Sequence, residues 1–294
     1  CLHGDDGTLL ESFPRLTGDP LERARWRHRV VRHVLRHHTC RDRLARIGRD
    51  LGLEDGPAPP PKVACLLVSM RPWLLDHCIK RFQRDRYPEK ELVIVVHGSP
   101  ATAREMAVRA GGDDRIQVHQ LGKARSLGAC LNFAARQTDA PFWAKFDDDD
   151  LYGPGYLSDM MLYQQVADSD LLGKPQGFIY LESRDELMWN DQRTSHAWTH
   201  HSRAAGESTT GIAGGTLLGK RAVLEDVPFS ELRRGGSDTD FALRARAAGY
   251  DLMVTDPFNF AFFRSGDSGF HTRNTSVAGL RKQSRKIGGG ATLE

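Results

Sequence analysis

The chain has 294 residues, 39% of them hydrophobic and 27% charged, with a formal net charge of +3. That balance is ordinary for a globular protein with a sizeable core, and the length suits one large domain or one domain with an appendage. So small a charge gives no argument for a nucleic-acid partner, and no apolar run approaches the roughly 20 residues that span a bilayer.

Residues 1–54 read as a helical appendage. Breakers are few between 21 and 51, and Val30, Val31, Val34, Leu44 and Ile47 recur at near-helical spacing. The stretch 21–49 is dense in Arg and His; a solvated helical face is preferred there over contact with a membrane surface. Pro57, Pro59, Pro60 and Pro61 favour a stiff extended linker over 55–61. From residue 62, strands and helices alternate: strand 63–69, helix 73–83 entered through Pro72, strand 92–96, helix 101–110, strand 115–119, helix 125–137, strand 141–146. This order predicts an α/β fold with a central, mostly parallel sheet flanked by helices, and ligands beyond the carboxyl ends of its strands.

The second half is mixed. A helix is expected over 154–166, an extended stretch over 171–181, a strand over 211–218, a helix over 237–248 stopped at Gly249, and strands over 250–255 and 258–264. The polar stretch 188–210 has no clear period and suits a mobile active-site loop. Residues 276–294 are basic and glycine-rich and are expected to fray. The five cysteines are Cys1, Cys40, Cys65, Cys78 and Cys130. Their odd number and lack of a CxxC pair argue against a disulfide framework or zinc site and fit a reducing compartment. No secretory signal is legible, and a start at Cys1 suits a piece of a longer chain.

The chemistry concentrates in Asp147, Asp148, Asp149 and Asp150, directly after an apolar strand. Adjacent carboxylates repel, so a compensating cation is expected where they converge. Carboxylate oxygens suit magnesium or manganese, with nucleotide phosphates completing the shell. A solvated acidic turn is the bland alternative.

Residues 143–152 (WAKFDDDDLY) resemble the DxD region of the family 2 glycosyltransferases, which have the GT-A nucleotide-diphospho-sugar transferase fold. The resemblance extends over about 62–275. Residues 63–72 resemble the family's first strand and turn; Arg86-Tyr87-Pro88 with 91–96, the step into its second strand; and Leu127-Gly128 with Asn132, the helix before the DxD strand. Gly214-Gly215-Thr216 resembles the acceptor-side glycine segment, and 236–241 with Arg244 and Gly249 a later acidic helix. The resemblance implies an inverting, metal-dependent transfer of a sugar from a nucleotide donor, first choice a UDP-sugar, to a glycan or cell-envelope hydroxyl. It implies Ser69, Arg71, His97, Arg125, Asn132, Asp147 and Asp148 on the nucleotide side, with Asp147 near the ribose. It also implies Asp149 and His271 on a divalent ion, Asp238 as general base, and Gly214, Gly215 and Asp240 on the acceptor side.

Alternatives stay open at several of these positions. Asp148 and Asp150 could cap the following turn, Asp238 could be a helix N-cap, and Asp240 a favourable first-turn charge. His271 and the pair His200-His201 could be surface residues. His97 stands where the family often has an acid, and Ser237 where it usually has a glutamate. Residues 37–44 (HHTCRDRL) resemble the ending of a CgeB-like GT-B glycosyltransferase, which implies that 1–54 are the tail of a preceding module; a capping helix pair is the alternative. A metal-dependent nucleotidyltransferase and a non-catalytic carbohydrate-binding protein of the same fold are the competing functions. A cytoplasmic location is expected, with the inner face of the membrane as the alternative.

Overall fold

The computed structural model describes residues 18–53, 59–98, 104, 105, 107, 108, 110–190, 199, 200, 211–231, 236–267, 270, 277–290 and 293. The chain divides into two compact units, Cys1–Pro59 with Met161–Asp168, and Pro60–Met160 with Ser169–Glu294. No helix among the described residues is long and apolar enough to cross a membrane.

In the first unit, α1 (Pro20–His37) and α2 (Cys40–Asp50) carry well-formed starts. Asp19 accepts from the amide of Leu21 ahead of Pro20 at the first helical position. Thr39 and Asp42 form a capping box: the Thr39 hydroxyl accepts from the Asp42 amide at 3.1 Å, and the Asp42 carboxylate accepts from the Thr39 amide at 3.0 Å. Leu44, Ile47 and Leu51, one face of α2 by their spacing, are exposed.

The second unit is built on an eight-stranded sheet in the order β3-β2-β1-β4-β10-β6-β11-β9. Its strands are β1 (Val63–Ser69), β2 (Lys90–His97), β3 (Ile116–Leu121), β4 (Phe142–Phe146), β6 (Leu171–Gly173), β9 (Thr199–His200), β10 (Leu218–Lys220) and β11 (Leu252–Val254). Parallel pairing joins β3, β2, β1 and β4. The antiparallel β10 then hands on to β6 and β11, so six of the eight strands run one way. β1 and β2 are buried almost throughout and read as near-continuous apolar runs, as strands covered on both faces must. In the register, Leu67 lies beside Phe146 and Ser69 beside Val96. The turns after β1, β2 and β4 therefore open on one edge of the sheet.

Helices α3 (Leu75–Arg84), α4 (Leu127–Ala135), α6 (Arg221–Asp226) and α7 (Ser237–Ala247) complete this part, with the start of α5 (Tyr156–Ala167), whose residues from Met161 on fall in the first unit. α4 starts on Ser126, whose hydroxyl accepts from the Ala129 amide at 3.1 Å. A Cβ at Gly128 would run into the Ser230 carbonyl, which explains a glycine in that first turn. Trp143 of β4 packs edge-on against Phe229 and against Phe241 of α7, at 5.9 and 5.5 Å between ring centroids, and Phe229 and Phe241 stack at 4.3 Å. This cluster seats α7 on the sheet. Trp143→Ala is expected to cost about 3–5 kcal/mol, read as a lowered denaturation midpoint at unchanged slope.

A second sheet has the order β13-β8-β7-β12-β5, from β5 (Leu151–Tyr152), β7 (Phe178–Leu181), β8 (Glu186–Trp189), β12 (Phe260–Arg264) and β13 (Arg285–Gly288). Two expectations from the sequence are corrected here. The region after 276 does not simply fray: α8 (Val277–Lys282) places Leu280 in a small apolar cluster with Ile179, Leu181 and Met188, and β13 pairs antiparallel with β8. The strand expected over 211–218 is a 3₁₀ turn, Gly214–Thr216, followed by the short β10. Of the loop expected over 188–210, residues 191–198 and 201–210 lie outside the described residues, as do the first three residues of the helix expected over 101–110.

Candidate functional site

The acidic run leaves the carboxyl end of β4, and its four carboxylates have four different environments. Asp147 accepts from the Lys145 ammonium at 2.5 Å. Asp148 is buried and accepts from the Ser69 hydroxyl and from Arg71, whose Nε lies at 3.0 Å. Asp149 faces Arg71 Nη2 at 3.2 Å. Asp150 is buried; its carboxylate accepts from the Phe263 amide at 3.2 Å, and its carbonyl accepts from Arg81. The charge of the run is thus answered first by Lys145 and Arg71. Burial, reinforced by Asp147 and Asp149, holds Asp150 well above the ordinary carboxylate range. Burial also raises Asp148, and Arg71 and Ser69 oppose the rise.

Arg71 does more than neutralise. Its guanidinium lies over the Phe270 ring at 4.5 Å and donates to the Phe270 carbonyl at 3.1 Å, so it ties the acidic turn to a segment 199 residues away. His271, the next residue and an expected metal ligand, lies outside the described residues, as does His201; of His200 only the backbone is described.

The Gly214–Thr216 turn meets the acidic run directly. The Asp147 amide donates to Tyr152 Oη at 2.8 Å, and Tyr152 Oη donates to the Gly215 carbonyl at 2.7 Å. Tyr152 is itself fixed by stacking on Phe146 at 4.4 Å. A Cβ on Gly215 would lie 2.8 Å from carboxylate oxygens of both Asp147 and Asp150, and one on Gly214 would lie 2.8 Å from Cβ and Cγ of Asp238. Both positions therefore exclude any larger residue without displacing an acid. The turn is held from behind by Lys174, whose amide donates to the Thr216 hydroxyl at 2.8 Å and whose carbonyl accepts from the Ala213 amide at 2.8 Å.

Asp238 stands in the first turn of α7, after Gly236 at φ 66°. Gly236 holds the N-cap position, two residues before Asp238, and Asp238 Oδ1 lies 3.4 Å from the Lys145 ammonium. Burial raises its pKa, Lys145 pulls it down and Asp147 pushes it back up. The N-cap alternative for Asp238 does not hold, because Gly236 occupies that position.

The other expected residues are placed as follows. His97 ends β2 and is buried, with its Nε2 against Cys130 Sγ of α4; burial lowers the imidazole pKa and pushes the thiol up to about 11. Arg125 is exposed on the turn before α4. Asn132 commits its amide to the loop ahead of α7: Nδ2 donates to the Phe229 carbonyl at 2.9 Å, and Oδ1 accepts from the Phe229 amide at 2.9 Å. Asp240 accepts from Arg244 Nε at 3.0 Å and, with Asn132, Arg136 and Glu231, lines a cavity of about 540 Å³. So Ser69, Arg71, Asp147–Asp149, Gly214, Gly215 and Asp238 share one connected network. Asn132 and Asp240 belong to the α4–α7 groove.

Sequence reasoning passed over Lys145, Tyr152 and Arg81. Lys145 had a legible signal: a lysine inside an apolar strand, in step with Trp143 on the core face, needs an acid opposite. Tyr152 and Arg81 gave no comparable sign.

Residues 71–228 match the family described as Glycosyl transferase family 2, which is more than half of the chain. No curated protein matches. Among solved structures, S. aureus TarS 1–349 in complex with UDP-GlcNAc aligns at TM-score 0.58 and 16% identity, over 74% of this chain and 62% of that one. The mannosyltransferase PcManGT from Pyrobaculum calidifontis, in complex with GDP-Man and Mn²⁺, aligns at TM-score 0.52 and 16% identity, over 90% of this chain and 68% of that one. The chain belongs to glycosyl transferase family 2, and its fold is of the GT-A type. It spans about three fifths of the TarS 1–349 chain.

Proposed function

We propose that the chain is a glycosyltransferase that moves a sugar, with inversion, from a nucleotide-diphosphate donor to a hydroxyl of a glycan or cell-envelope acceptor, and that Asp238 is the general base. The observation that carries this is the shared ammonium of Lys145, which links Asp147 on the nucleotide edge to Asp238 across the glycine turn. A base must stand within reach of the acceptor proton while the departing group is held elsewhere, and two carboxylates 91 residues apart meeting on one lysine suit that division.

The donor set fits a magnesium or manganese ion of the kind held by one or two carboxylates plus substrate phosphates. The Asp149 side chain is 16% exposed beside Arg71, and no three-ligand cage of His, Cys, Asp or Glu stands among the described residues. Asp149 would hold the ion, joined by His271. When bound, the ion would offset negative charge on the nucleoside diphosphate. Asp147 would meet the ribose, Ser69 and Arg71 would orient the acidic turn against it, and Asp238 would take the acceptor proton. TarS with UDP-GlcNAc and PcManGT with GDP-Man support a nucleotide sugar as donor; UDP-linked sugars are the first to try.

Calorimetry with UDP and GDP, with and without manganese, tests the donor side. Metal-dependent binding in the parent and at least a tenfold loss in Asp149→Ala are expected; equal binding by both proteins contradicts the metal role. Release of nucleoside diphosphate from the sugar nucleotide supports transfer. Pyrophosphate release would mark a nucleotidyltransferase, and binding without turnover a carbohydrate-binding protein. The exposed face of α2, Leu44, Ile47 and Leu51, supports reading 1–54 as the tail of a preceding module.

A further inference from the structure

Lys145 is among the largest fully buried side chains of the molecule, and a buried ammonium is tolerable only where acids surround it. It lies on the core face of β4, between Trp143 and the turn residue Asp147. Strand β4 and helix α7 make two contacts in step. Trp143 packs on Phe241, and two residues further along the strand Lys145 meets Asp238, three residues back along the helix. The aromatic contact sets where α7 sits. The ionic contact sets where the first turn of α7 points its carboxylate. No other charged group among the described residues bears on Asp238 except Asp147, which shares the same ammonium at 2.5 Å. Asp238 Oδ1 is buried without a hydrogen-bond donor, so this ammonium at 3.4 Å is its one compensating charge among the described residues. Gly214 closes the other side, since anything larger would press on Asp238.

We infer that Lys145 is a positioning residue: it holds Asp147 and Asp238 on one buried ammonium, keeping Asp238 ionised and aimed from the first turn of α7 toward the acceptor side of the site. The inference rests on the glycosyltransferase reading for its purpose, but the clamp itself can be measured without turnover. An acid in a partly buried place drifts toward its neutral form unless a cation is fixed against it. Asp147 works in the opposite sense, by repelling Asp238 and by sharing the lysine. Neutralising either neighbour therefore has an opposite effect on Asp238, an outcome that general loosening of the fold does not produce.

The test is a carboxyl carbon-13 titration of aspartate-labelled protein, with the Asp238 resonance identified by its loss in Asp238→Asn. Lys145→Met is expected to raise the Asp238 midpoint by about one to three pH units. Lys145→Arg should restore most of the parent value, and Asp147→Asn should lower it. An unmoved midpoint in folded Lys145→Met overturns the inference. If Lys145→Met does not fold, Asp147→Asn decides: an unmoved or raised midpoint there overturns it equally. In parallel, nucleoside diphosphate release from UDP-GlcNAc and GDP-mannose in manganese is followed against pH. Lys145→Met should lose turnover near neutrality and regain it as pH rises through the new midpoint. A parent-like rate in Asp238→Asn would remove the base reading while leaving the titration result to judge the clamp.

Discussion

Asp238→Asn is expected to bind the nucleotide donor as the parent does and to turn it over about 10²–10⁴-fold more slowly, the usual cost of removing a positioned base. The substitution keeps the size of the side chain and its place in the first turn of α7, and removes charge and basicity. Donor affinity survives because the acids at the nucleotide edge, Asp147 to Asp149, keep their cations: Lys145 stays on Asp147, and Arg71 stays on Asp148 and Asp149, with Ser69 on Asp148. The pH profile should agree. Burial raises the Asp238 pKa, with Lys145 opposing. Because the base works only when deprotonated, kcat should fall as pH drops through that raised value, at a pH above that of an ordinary aspartate. Steady-state rates from about pH 5 to 9 check the limb, and calorimetry checks the affinity. A parent rate in a normally folded Asp238→Asn would make Asp238 a charge partner of Lys145 alone and move attention to Asp240.

Strands β1 and β2 are legible because they are buried on both faces, so that residues 63–69 and 92–96 appear as largely apolar runs bounded by turn residues. The acidic turn was legible because four aspartates after such a strand have few other uses. The glycine turn was read as a strand because apolar Ile212, Ala213, Leu217 and Leu218 flank it. What holds a turn there is bonding that the local pattern does not show: the Thr216 amide and hydroxyl donate to the Ala213 carbonyl, and Tyr152 Oη donates to the Gly215 carbonyl. The order after residue 276 was missed for a related reason. Lys282, Arg285 and Lys286 look solvated in sequence, yet β13 pairs with β8, and Lys286 and Arg281 face Glu186 at 3.4 and 3.7 Å. Asn132 fits the family pattern by position, but its bonds to Phe229 show a second reason for an amide there, one that local sequence does not reveal.

Gly214 and Gly215 are adjacent, and alanine at each should injure a different half of the reaction. A methyl group at Gly214 would stand 2.8 Å from Asp238 Cβ and Cγ. These atoms are not the free end of a flexible chain, so the carboxylate must move, and it cannot move far without leaving Lys145. Displacing a reacting group by about 1 Å costs on the order of 10²-fold in rate. Gly214→Ala should therefore lower kcat about 10²-fold and leave nucleotide affinity near the parent value. A methyl group at Gly215 would instead stand 2.8 Å from oxygens of Asp147 and Asp150 and 3.1 Å from Tyr152 Oη. It presses on the donor edge and on the tyrosine that joins the two turns. Overpacking of this kind costs about 1–3 kcal/mol, so Gly215→Ala should weaken UDP or GDP binding in manganese by at least tenfold and lower the denaturation midpoint. Calorimetry, initial rates and denaturation of the two proteins side by side read the contrast. Equal losses of affinity and rate in both variants would mean that the two sides of the glycine turn are not functionally distinct, and the assignment of Asp147 to the donor and Asp238 to the acceptor would fall with that distinction.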